Sequence, residues 1–229
     1  MSTARFKEMC FDVGPGEDVG AFWAAAAGLA LDLEGGAPGD LLGSEEGMGI
    51  ALCPVPESKS VKNRVHLDIS VANLDEVTSL GASRIAEHEH WTVMADPAGN
   101  EFCAFVREGE LPAYRIFEVV VDAVDAEAIA GWWAERFGVA ANNKGQPWWW
   151  IDAVDGFATS VPWWGMVFNP VPEPKTVKNR LHWDVYGDPQ DFLDAGATLL
   201  WEVPGRTRPI AWTTLADPEG NEFCVFPHA

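Results

Sequence analysis

Apolar residues occur along the chain in two kinds of spacing. Residues 116–121 form a run that is apolar apart from one carboxylate, which is typical of a buried strand, and residues 9–13 form a similar run. Each run is followed by a segment with helical spacing, residues 125–137 and residues 19–27. In residues 125–137, Asp125 is placed to cap the helix N-terminus and Gly138 to end the helix. The pattern predicts a strand and then a helix at the start of each half.

Shorter apolar segments after each helix predict further strands. In the second half these are residues 148–151, 165–169 and 181–186, followed by a short helix at residues 190–195. Residues 212–226 are predicted to form a hairpin, because Asp-Pro-Glu-Gly near their middle places proline at the second position of a turn. Strands dominate and helices cover one side, so the predicted fold class is α+β.

Two strings of residues recur with their order and spacing kept. Residues 61–68 read VKNRVHLD and residues 177–184 read VKNRLHWD; residues 95–103 read ADPAGNEFC and residues 216–224 read ADPEGNEFC. An aromatic pair in the first helix recurs as well, at Phe22-Trp23 and Trp132-Trp133. The chain is therefore a tandem duplication of a unit of about 110 residues. The predicted domains are 1–109 and 114–229, joined by a polar linker at 107–112.

Each unit combines two short strand-helix-strand modules, a strand that opens with His-x-Asp, and a closing Asp-Pro-x-Gly-Asn hairpin. This combination resembles the glyoxalase-like domain of the vicinal oxygen chelate superfamily, which includes glyoxalase I, extradiol dioxygenases and bleomycin resistance proteins. The resemblance covers nearly the whole chain, twice. It implies two tandem glyoxalase-like domains, each of two βαβββ modules, whose concave mixed sheet holds a metal or a bound ligand.

The repeated His-x-Asp strand supplies the first candidate site residues. Residues two apart on a strand share a face, so His66 and Asp68 point the same way, as do His182 and Asp184. In the resembled superfamily a histidine at the start of this strand is often a metal ligand, and neutral imidazole is a common metal ligand. The alternative is that each histidine is a pocket-wall residue bonded to its neighbouring aspartate.

The first strand of each unit normally supplies a second ligand in the resembled superfamily. Spacing to the helix places this position at Glu8 and Glu118. A lone buried carboxylate is costly unless it is paired or coordinated. Both residues are therefore predicted to face the pocket, and the alternative is a glutamate that is exposed at the strand end or paired with Lys or Arg.

The superfamily's metal-binding glutamate usually lies three residues after the hairpin asparagine, where this chain has Cys103 and Cys224. Glu101 and Glu222 lie two residues before those cysteines and are predicted to face the same side. Oxygen ligands suit Mg²⁺, whereas thiolate with imidazole suits Zn²⁺. Cysteine in place of this glutamate favours pockets without a metal, and a divalent metal is the alternative. The ligand sets for that alternative are His66, Glu8 and Glu101, and His182, Glu118 and Glu222.

The two copies differ around their predicted pockets. Cys53, on the last strand of the first module, corresponds to Asn169 in the second copy. Most of the 12 tryptophans lie in the second copy, including the run Trp148-Trp149-Trp150. Successive strand residues alternate faces, and Trp149 is predicted to line the concave side. Indole rings among carboxylates suit a cationic or flat ligand.

Composition limits the partners. The chain has 35 acidic and 15 basic side chains and a net charge of −20, which argues against nucleic acid and anionic membranes. There is no apolar run of about 18 residues and no apolar N-terminal stretch of the signal-peptide type. A cytoplasmic location is therefore expected. The four cysteines form no CxxC pair and are too sparse for a disulfide scaffold, so reduced thiols are expected.

Two functions follow from these residues. The favoured one is binding of a small cationic or aromatic molecule without a metal, as in the resembled bleomycin resistance proteins. The alternative is a metal-dependent lyase, isomerase or dioxygenase with a carboxylate as base. The repeated Lys-Asn-Arg at 62–64 and 178–180 is predicted to be structural, bonding neighbouring strands or pairing with acids. The chain is expected to be a monomer or a homodimer.

Overall fold

The computed structural model describes residues 2–157, 164–202 and 212–227. The first copy contains eight strands and two helices in the order β1 (Ala4–Val13), α1 (Gly20–Ala27), β2 (Ala30–Asp32), β3 (Asp40–Leu42), β4 (Ile50–Pro54), β5 (Val65–Val71), α2 (Asp75–Thr78), β6 (Ser83–Glu87), β7 (Thr92–Ala95) and β8 (Glu101–Val106). The described part of the second copy repeats that order with β9 (Ile116–Ala123), α3 (Ala126–Phe137), β10 (Ala141–Asn142), β11 (Trp149–Asp152), β12 (Gly165–Pro170), β13 (Leu181–Gly187), α4 (Pro189–Asp194), β14 (Thr198–Glu202), β15 (Thr213–Ala216) and β16 (Glu222–Phe226).

The two longer helices begin and end close to where the sequence predicts. The Asp125 carboxylate caps α3 by accepting from the backbone N–H of Ala128, and Gly138 ends it in the left-handed conformation at φ 69°. Helix α1 has no side-chain cap at Val19 and ends at Gly28 with φ 71°. A Cβ at Gly28 would lie 1.9 Å from the Ala113 carbonyl oxygen, so this position requires glycine for space as well as for φ. None of the described helices is long and apolar enough to span a membrane.

The strands form two eight-stranded mixed sheets, which confirms the predicted α+β fold with two βαβββ modules in each sheet. Sheet 1 has the order β14-β15-β16-β13-β1-β4-β3-β2, and sheet 2 has the order β10-β11-β12-β9-β5-β8-β7-β6. Sheet 1 therefore joins the first module of copy one to the second module of copy two. Sheet 2 joins the two remaining modules. The predicted domain boundaries at 1–109 and 114–229 follow the sequence repeat, whereas each sheet takes strands from both copies.

The modules meet along two antiparallel pairs near the middle of the sheets. Strand β1 pairs with β13, and Glu8 lies opposite Asp184. Strand β5 pairs with β9, and Asp68 lies opposite Glu118. Each sheet thus brings a carboxylate of one copy directly opposite a carboxylate of the other copy.

The repeated strings of the sequence hold each helix to its hairpin. The indole N–H of Trp23 donates to the Asp96 carboxylate at 3.0 Å, and that of Trp133 donates to Asp217 at 3.1 Å. Both tryptophans are almost fully buried, at 1% and 0% exposed. The asparagine of each hairpin donates to the same carboxylate through its side-chain amide. Asn100 donates to Asp96 in the first copy, and Asn221 donates to Asp217 in the second copy. The Asp-Pro-x-Gly-Asn string is therefore a structural turn that also anchors the helix.

The repeated Lys-Asn-Arg segment joins the two copies. Lys62 pairs with Asp122, and the Arg64 guanidinium donates to the Glu173 carbonyl oxygen at 2.7 Å. In the reciprocal contacts Lys178 pairs with Asp12, and Arg180 donates to the Glu57 carbonyl oxygen at 2.8 Å. The prediction that these segments are structural is confirmed.

Candidate functional site

In the described part of the chain, each sheet has a cavity over the strands that carry the His-x-Asp pattern. Cavity 1, over sheet 1, has a volume of about 1080 Å³ and contains His182, Asp184 and Cys224 on its floor. Cavity 2, over sheet 2, has a volume of about 560 Å³ and contains His66, Asp68 and Cys103. Both volumes suit a small molecule.

In cavity 2, three different metal-ligating groups converge on one point. The His66 Nε2 lies 3.4 Å from Asp68 Oδ1 and 3.5 Å from Cys103 Sγ. These three donor atoms all lie within 4.8 Å of one another. The register explains the convergence, because Asp68 and Cys103 are partners on the parallel strands β5 and β8 and His66 precedes Asp68 by two residues.

Cavity 1 repeats the arrangement with the corresponding residues. The His182 Nε2 lies 3.7 Å from Asp184 Oδ1 and 3.6 Å from Cys224 Sγ. Asp184 and Cys224 are partners on the parallel strands β13 and β16. The duplication has therefore kept the His-Asp-Cys group in both cavities.

Burial sets the protonation of these groups. It lowers the pKa of His66 and of His182 to about 4, so both imidazoles are neutral at pH 7. Burial raises the pKa of Asp184 to about 7, and burial together with the nearby Glu118 raises that of Asp68 well above its usual range. Burial, with the Asp184 charge beside it, also raises the pKa of the Cys224 thiol to about 12. The neutral imidazoles keep a lone pair for a ligand or an ion.

Three buried polar atoms in these groups have no hydrogen-bond partner, namely Asp68 Oδ1, Asp184 Oδ1 and His182 Nδ1. Asp68 and Asp184 are each 5% exposed and His182 is 8% exposed. Leaving such an atom without a partner costs about 1–3 kcal/mol. The two carboxylate oxygens occupy equivalent places in the two cavities, each beside the imidazole of its group.

The first-strand glutamates line the cavities, but the predicted grouping is wrong. The predicted ligand sets place Glu8 with His66 and Glu118 with His182, which assumes that each copy forms its own pocket. Because each sheet combines modules of both copies, Glu8 of copy one lies in cavity 1 with His182 of copy two. There Glu8 pairs with Lys7. Glu118 lies in cavity 2 with His66.

The hairpin glutamates reach the cavities with both carboxylate oxygens already bonded. Glu101 accepts from Lys59 Nζ at 3.0 Å and from the Asn63 backbone N–H at 3.0 Å. Glu222 accepts from Lys175 Nζ at 2.6 Å and from the Asn179 backbone N–H at 3.1 Å. Their assignment to the metal sets is therefore corrected: among the described residues, the donor groups contain the cysteine two positions later instead.

The assignment of Trp149 to the cavity is also corrected. Trp149 pairs with Phe168, a fully buried residue, and packs against the core. Its neighbour Trp148, 39% exposed, lines cavity 2. The alternation of faces was predicted correctly, but the sequence did not show which face of β11 is concave.

A stack of aromatic rings forms one wall of each cavity, and the sequence analysis missed it. In cavity 2 the Trp91 ring stacks on His88, with centroids 4.7 Å apart, and on Phe105, with centroids 5.9 Å apart. In cavity 1 the Trp212 ring stacks on Phe226 at 5.8 Å. We call each stack an aromatic wall. The signal was present, because Trp-Thr recurs at 91–92 and 212–213, just before each Ala-Asp-Pro string.

Comparison with known families agrees with this architecture. The model of the glyoxalase-like domain matches residues 8–105 and again residues 118–226. The chain belongs to the glyoxalase-like domain family. It carries two copies of that domain, as the sequence repeat predicts. No curated protein sequence matches the chain.

Solved structures share the fold at low identity. Glyoxalase I from Zea mays superposes with a TM-score of 0.68 at 14% identity, over 98% of this chain and 92% of that chain. A putative dioxygenase from Bacillus subtilis superposes with a TM-score of 0.63 at 14% identity, over 99% of this chain and 86% of that chain. Both share the fold of the tandem glyoxalase-like chain.

The unpaired carboxyl of Glu118 makes the stability of this glyoxalase-like protein depend on pH. Burial raises the pKa of Glu118 to about 7, against 4.5 ordinarily. The folded chain holds this proton to higher pH than the unfolded chain does, so stability is lost as pH rises from about 4.5 through 7. Glu118→Gln should therefore raise the free energy of unfolding by up to about 3 kcal/mol above pH 7, and change it little near pH 4.

Urea unfolding of both proteins near pH 4 and near pH 8 measures this difference. Glu8→Gln is the matched control, because Glu8 occupies the equivalent position and pairs with Lys7. The control should gain no stability at either pH. An equal gain for both variants near pH 8 would contradict the role assigned to the burial of Glu118.

Proposed function

We propose that the two cavities bind a small molecule that combines a flat apolar part with a cationic or hydrogen-bond-donating part. The observation that carries this proposal is the same pairing in both cavities, an aromatic wall beside buried carboxylate oxygens without a partner. An aromatic ring attracts a flat or cationic group through its face, and an unpaired carboxylate oxygen accepts from a donor.

The charges around cavity 2 favour the same class of ligand. Asp68 and Glu118 face each other on the floor, whereas Lys62 is already paired with Asp122. A cation placed between Asp68 and Glu118 would favour their ionised forms and relieve the cost of burying two carboxyl groups together. An anionic ligand would disfavour those ionised forms further.

A titration followed by tryptophan fluorescence tests the proposal. The probes are a panel of flat aromatic amines, and for a bound probe we expect saturable quenching. Trp91→Ala removes the wall of cavity 2 and Trp212→Ala that of cavity 1, so each variant is the control for the other. The variant of the occupied cavity should weaken binding about tenfold, the loss expected for one stacking contact. Absence of saturable quenching across the panel, or an affinity equal to that of the parent chain in both variants, would overturn the proposal.

A second candidate function is a metal-dependent reaction of the vicinal oxygen chelate type, as a lyase, isomerase or dioxygenase. Its supporting observation is the pair of His-Asp-Cys groups. In a tetrahedral zinc site the metal lies about 2.3 Å from a cysteine sulfur and about 2.0 Å from a histidine nitrogen. The sulfur and the nitrogen are then about 3.5 Å apart. The Cys-His separations of 3.5 and 3.6 Å fit such an ion.

In that candidate function His66, Asp68 and Cys103 would hold the ion in cavity 2, and His182, Asp184 and Cys224 would hold it in cavity 1. A bound divalent ion supplies a Lewis acid that polarises substrate oxygens. Glu118, whose pKa of about 7 suits proton transfer near neutrality, would serve as the base in cavity 2. Metal analysis of protein purified without chelator decides between the functions. Stoichiometric metal that disappears in the His66→Ala, His182→Ala variant favours the enzyme.

A further inference from the structure

The first strand of each copy contains a β-bulge beside a cavity. The register of β1 against β13 shifts between Phe6 and Glu8, so Lys7 is the extra residue of that bulge. The register of β9 against β5 shifts in the same way, and there the extra residue is Phe117. A bulge interrupts the alternation of faces, and Lys7 and Glu8 both line cavity 1 although they are adjacent in sequence. Lys7 and Phe117 are therefore equivalent positions with different chemistry.

Lys7 lies between the aromatic wall and the floor of cavity 1. Its ammonium group pairs with Glu8, lies 4.0 Å from Asp184 Oδ2, and lies over the Phe226 ring at 4.5 Å from the centroid. The Lys7 side chain is only 20% exposed, although lysine is mostly exposed in folded proteins. One ammonium group of the chain thus contacts an aromatic ring and two carboxylates.

Cavity 2 has an aromatic residue at the equivalent position. The Phe117 ring packs edge-on against Phe105 of the aromatic wall, with centroids 5.2 Å apart. Asp68 and Glu118 lie opposite each other on the floor. Arg107, an exposed residue, lies over the Phe105 and Phe117 rings at 5.2 and 5.3 Å, but within the described residues it forms no ion pair with either floor carboxylate. The floor of cavity 2 therefore has two carboxyl groups without a paired cation.

We propose that Lys7 occupies the cationic subsite of cavity 1 as an internal cation, so that a flat cationic ligand binds in cavity 2 only, with one ligand per chain. Lys7 is then the residue that gives the two cavities different ligand specificity. This inference rests on the proposed function, and it deepens that function by assigning the cationic class of ligand to one of the two cavities.

Electrostatics and tethering both favour Lys7 over a free cation in cavity 1. A ligand cation would have to displace the Lys7 ammonium group from Glu8 or lie beside it, where like charges repel. Because Lys7 belongs to the chain, its contact with Glu8 and Phe226 is intramolecular and has a high effective concentration. Burial raises the pKa of Asp184 to about 7, and the Lys7 charge acts in the opposite direction, which shows that Lys7 stabilises the ionised floor.

The other carboxylates that the two cavities share do not distinguish them. Each is paired with a lysine: Asp12 with Lys178 and Glu222 with Lys175 in cavity 1, and Asp122 with Lys62 and Glu101 with Lys59 in cavity 2. Asp40 also lines cavity 1, but it is exposed to solvent, where salt screens its charge. The difference in charge on the two floors therefore comes from Lys7.

The test compares a flat cation with an uncharged flat molecule of nearly the same size. The probes are N-methylquinolinium and quinoline, used near pH 8, where quinoline is uncharged, and isothermal titration calorimetry of the full chain counts the equivalents bound. We expect the parent chain to bind one equivalent of N-methylquinolinium. Trp91→Ala, in cavity 2, should weaken that binding about tenfold, whereas Trp212→Ala, in cavity 1, should leave it unchanged.

Reciprocal exchange of the two bulge residues tests Lys7 directly. Lys7→Phe gives cavity 1 the residue of cavity 2 and should raise the N-methylquinolinium bound to two equivalents, the second of which is lost when Trp212→Ala is added. Lys7→Met removes the charge without adding a ring and should also give two equivalents. Phe117→Lys places an internal cation in cavity 2 and should weaken N-methylquinolinium binding by about tenfold or more. Quinoline is the control probe, and the parent chain and Lys7→Phe should bind equal numbers of equivalents of it.

Three results would overturn the inference. They are two equivalents of N-methylquinolinium in the parent chain, one equivalent in both Lys7 variants, and a gain of bound quinoline equal to that of N-methylquinolinium, which would show that Lys7 only fills space. Circular dichroism checks the fold of each variant, and if Phe117→Lys does not fold, the two Lys7 variants decide the outcome. Two equivalents in the parent chain leave the proposed function standing, whereas absence of binding of both probes overturns the proposed function and this inference with it.

Discussion

Replacement of Trp133 by alanine should lower the free energy of unfolding by about 3–5 kcal/mol. The side chain is fully buried and packs edge-on against Trp183 and Phe223, with ring centroids 5.1 and 4.9 Å away. Its indole N–H also donates to Asp217. Truncation therefore leaves a large cavity in the core and removes one hydrogen bond from a buried carboxylate, and the two costs add.

Urea unfolding at neutral pH measures this loss, and Trp148→Ala is the control. Trp148 is 39% exposed and lines cavity 2, so its truncation should change stability by less than about 1 kcal/mol. Equal destabilisation by the two substitutions would show that the helix-to-hairpin anchor contributes little. Trp23→Ala, the equivalent change in copy one, should resemble Trp133→Ala.

Separation of the two copies should abolish the folded monomer. In an isolated first copy, β1 loses β13 and β5 loses β9, so both sheets end at a newly exposed edge. Exposed edges with unpaired N–H and C=O groups associate with other chains. We therefore expect residues 1–112 expressed alone to form dimers or aggregates, and co-expression with residues 113–229 to restore a one-to-one complex that elutes like the intact chain.

Size-exclusion chromatography with light scattering distinguishes these outcomes. The control is the intact chain cleaved by a specific protease at a site inserted in the linker at 107–112. That cleaved chain should stay associated, because its sheets are already formed. A first copy that unfolds cooperatively as a monomer would contradict the contribution assigned to the strand pairs between copies.

Local patterns and the internal repeat were sufficient to predict the elements and the fold class. The cap at Asp125 and the stop at Gly138 depend on residues adjacent in sequence, and the structure shows both. The His-x-Asp strand was recognised because alternation along a strand is also a local property. The repeated strings revealed the duplication, although most of their residues serve structure instead of ligand binding.

Long-range pairing could not be predicted in the same way. The sequence of β1 is compatible with pairing to β5 in its own copy or to β13 in the other, since both strands carry the same His-x-Asp pattern. Glu8 and Glu118 were therefore assigned to the wrong histidines. The prediction that Trp149 lines the cavity was wrong for a related reason. Alternation along a strand separates its two faces but does not show which face is directed to the cavity.

Because each sheet combines one module from each copy, the segment that is repeated in the sequence differs from the pair of modules that forms a cavity. Each copy supplies half of each cavity, so a change in β1 alters the cavity whose floor is supplied by β13 of the other copy. The two cavities nevertheless differ, with Cys53 in cavity 1 where cavity 2 has Asn169, because each combines a different pair of halves. The residues that line one cavity therefore lie more than a hundred positions apart in the chain, as Glu8 and His182 do in cavity 1.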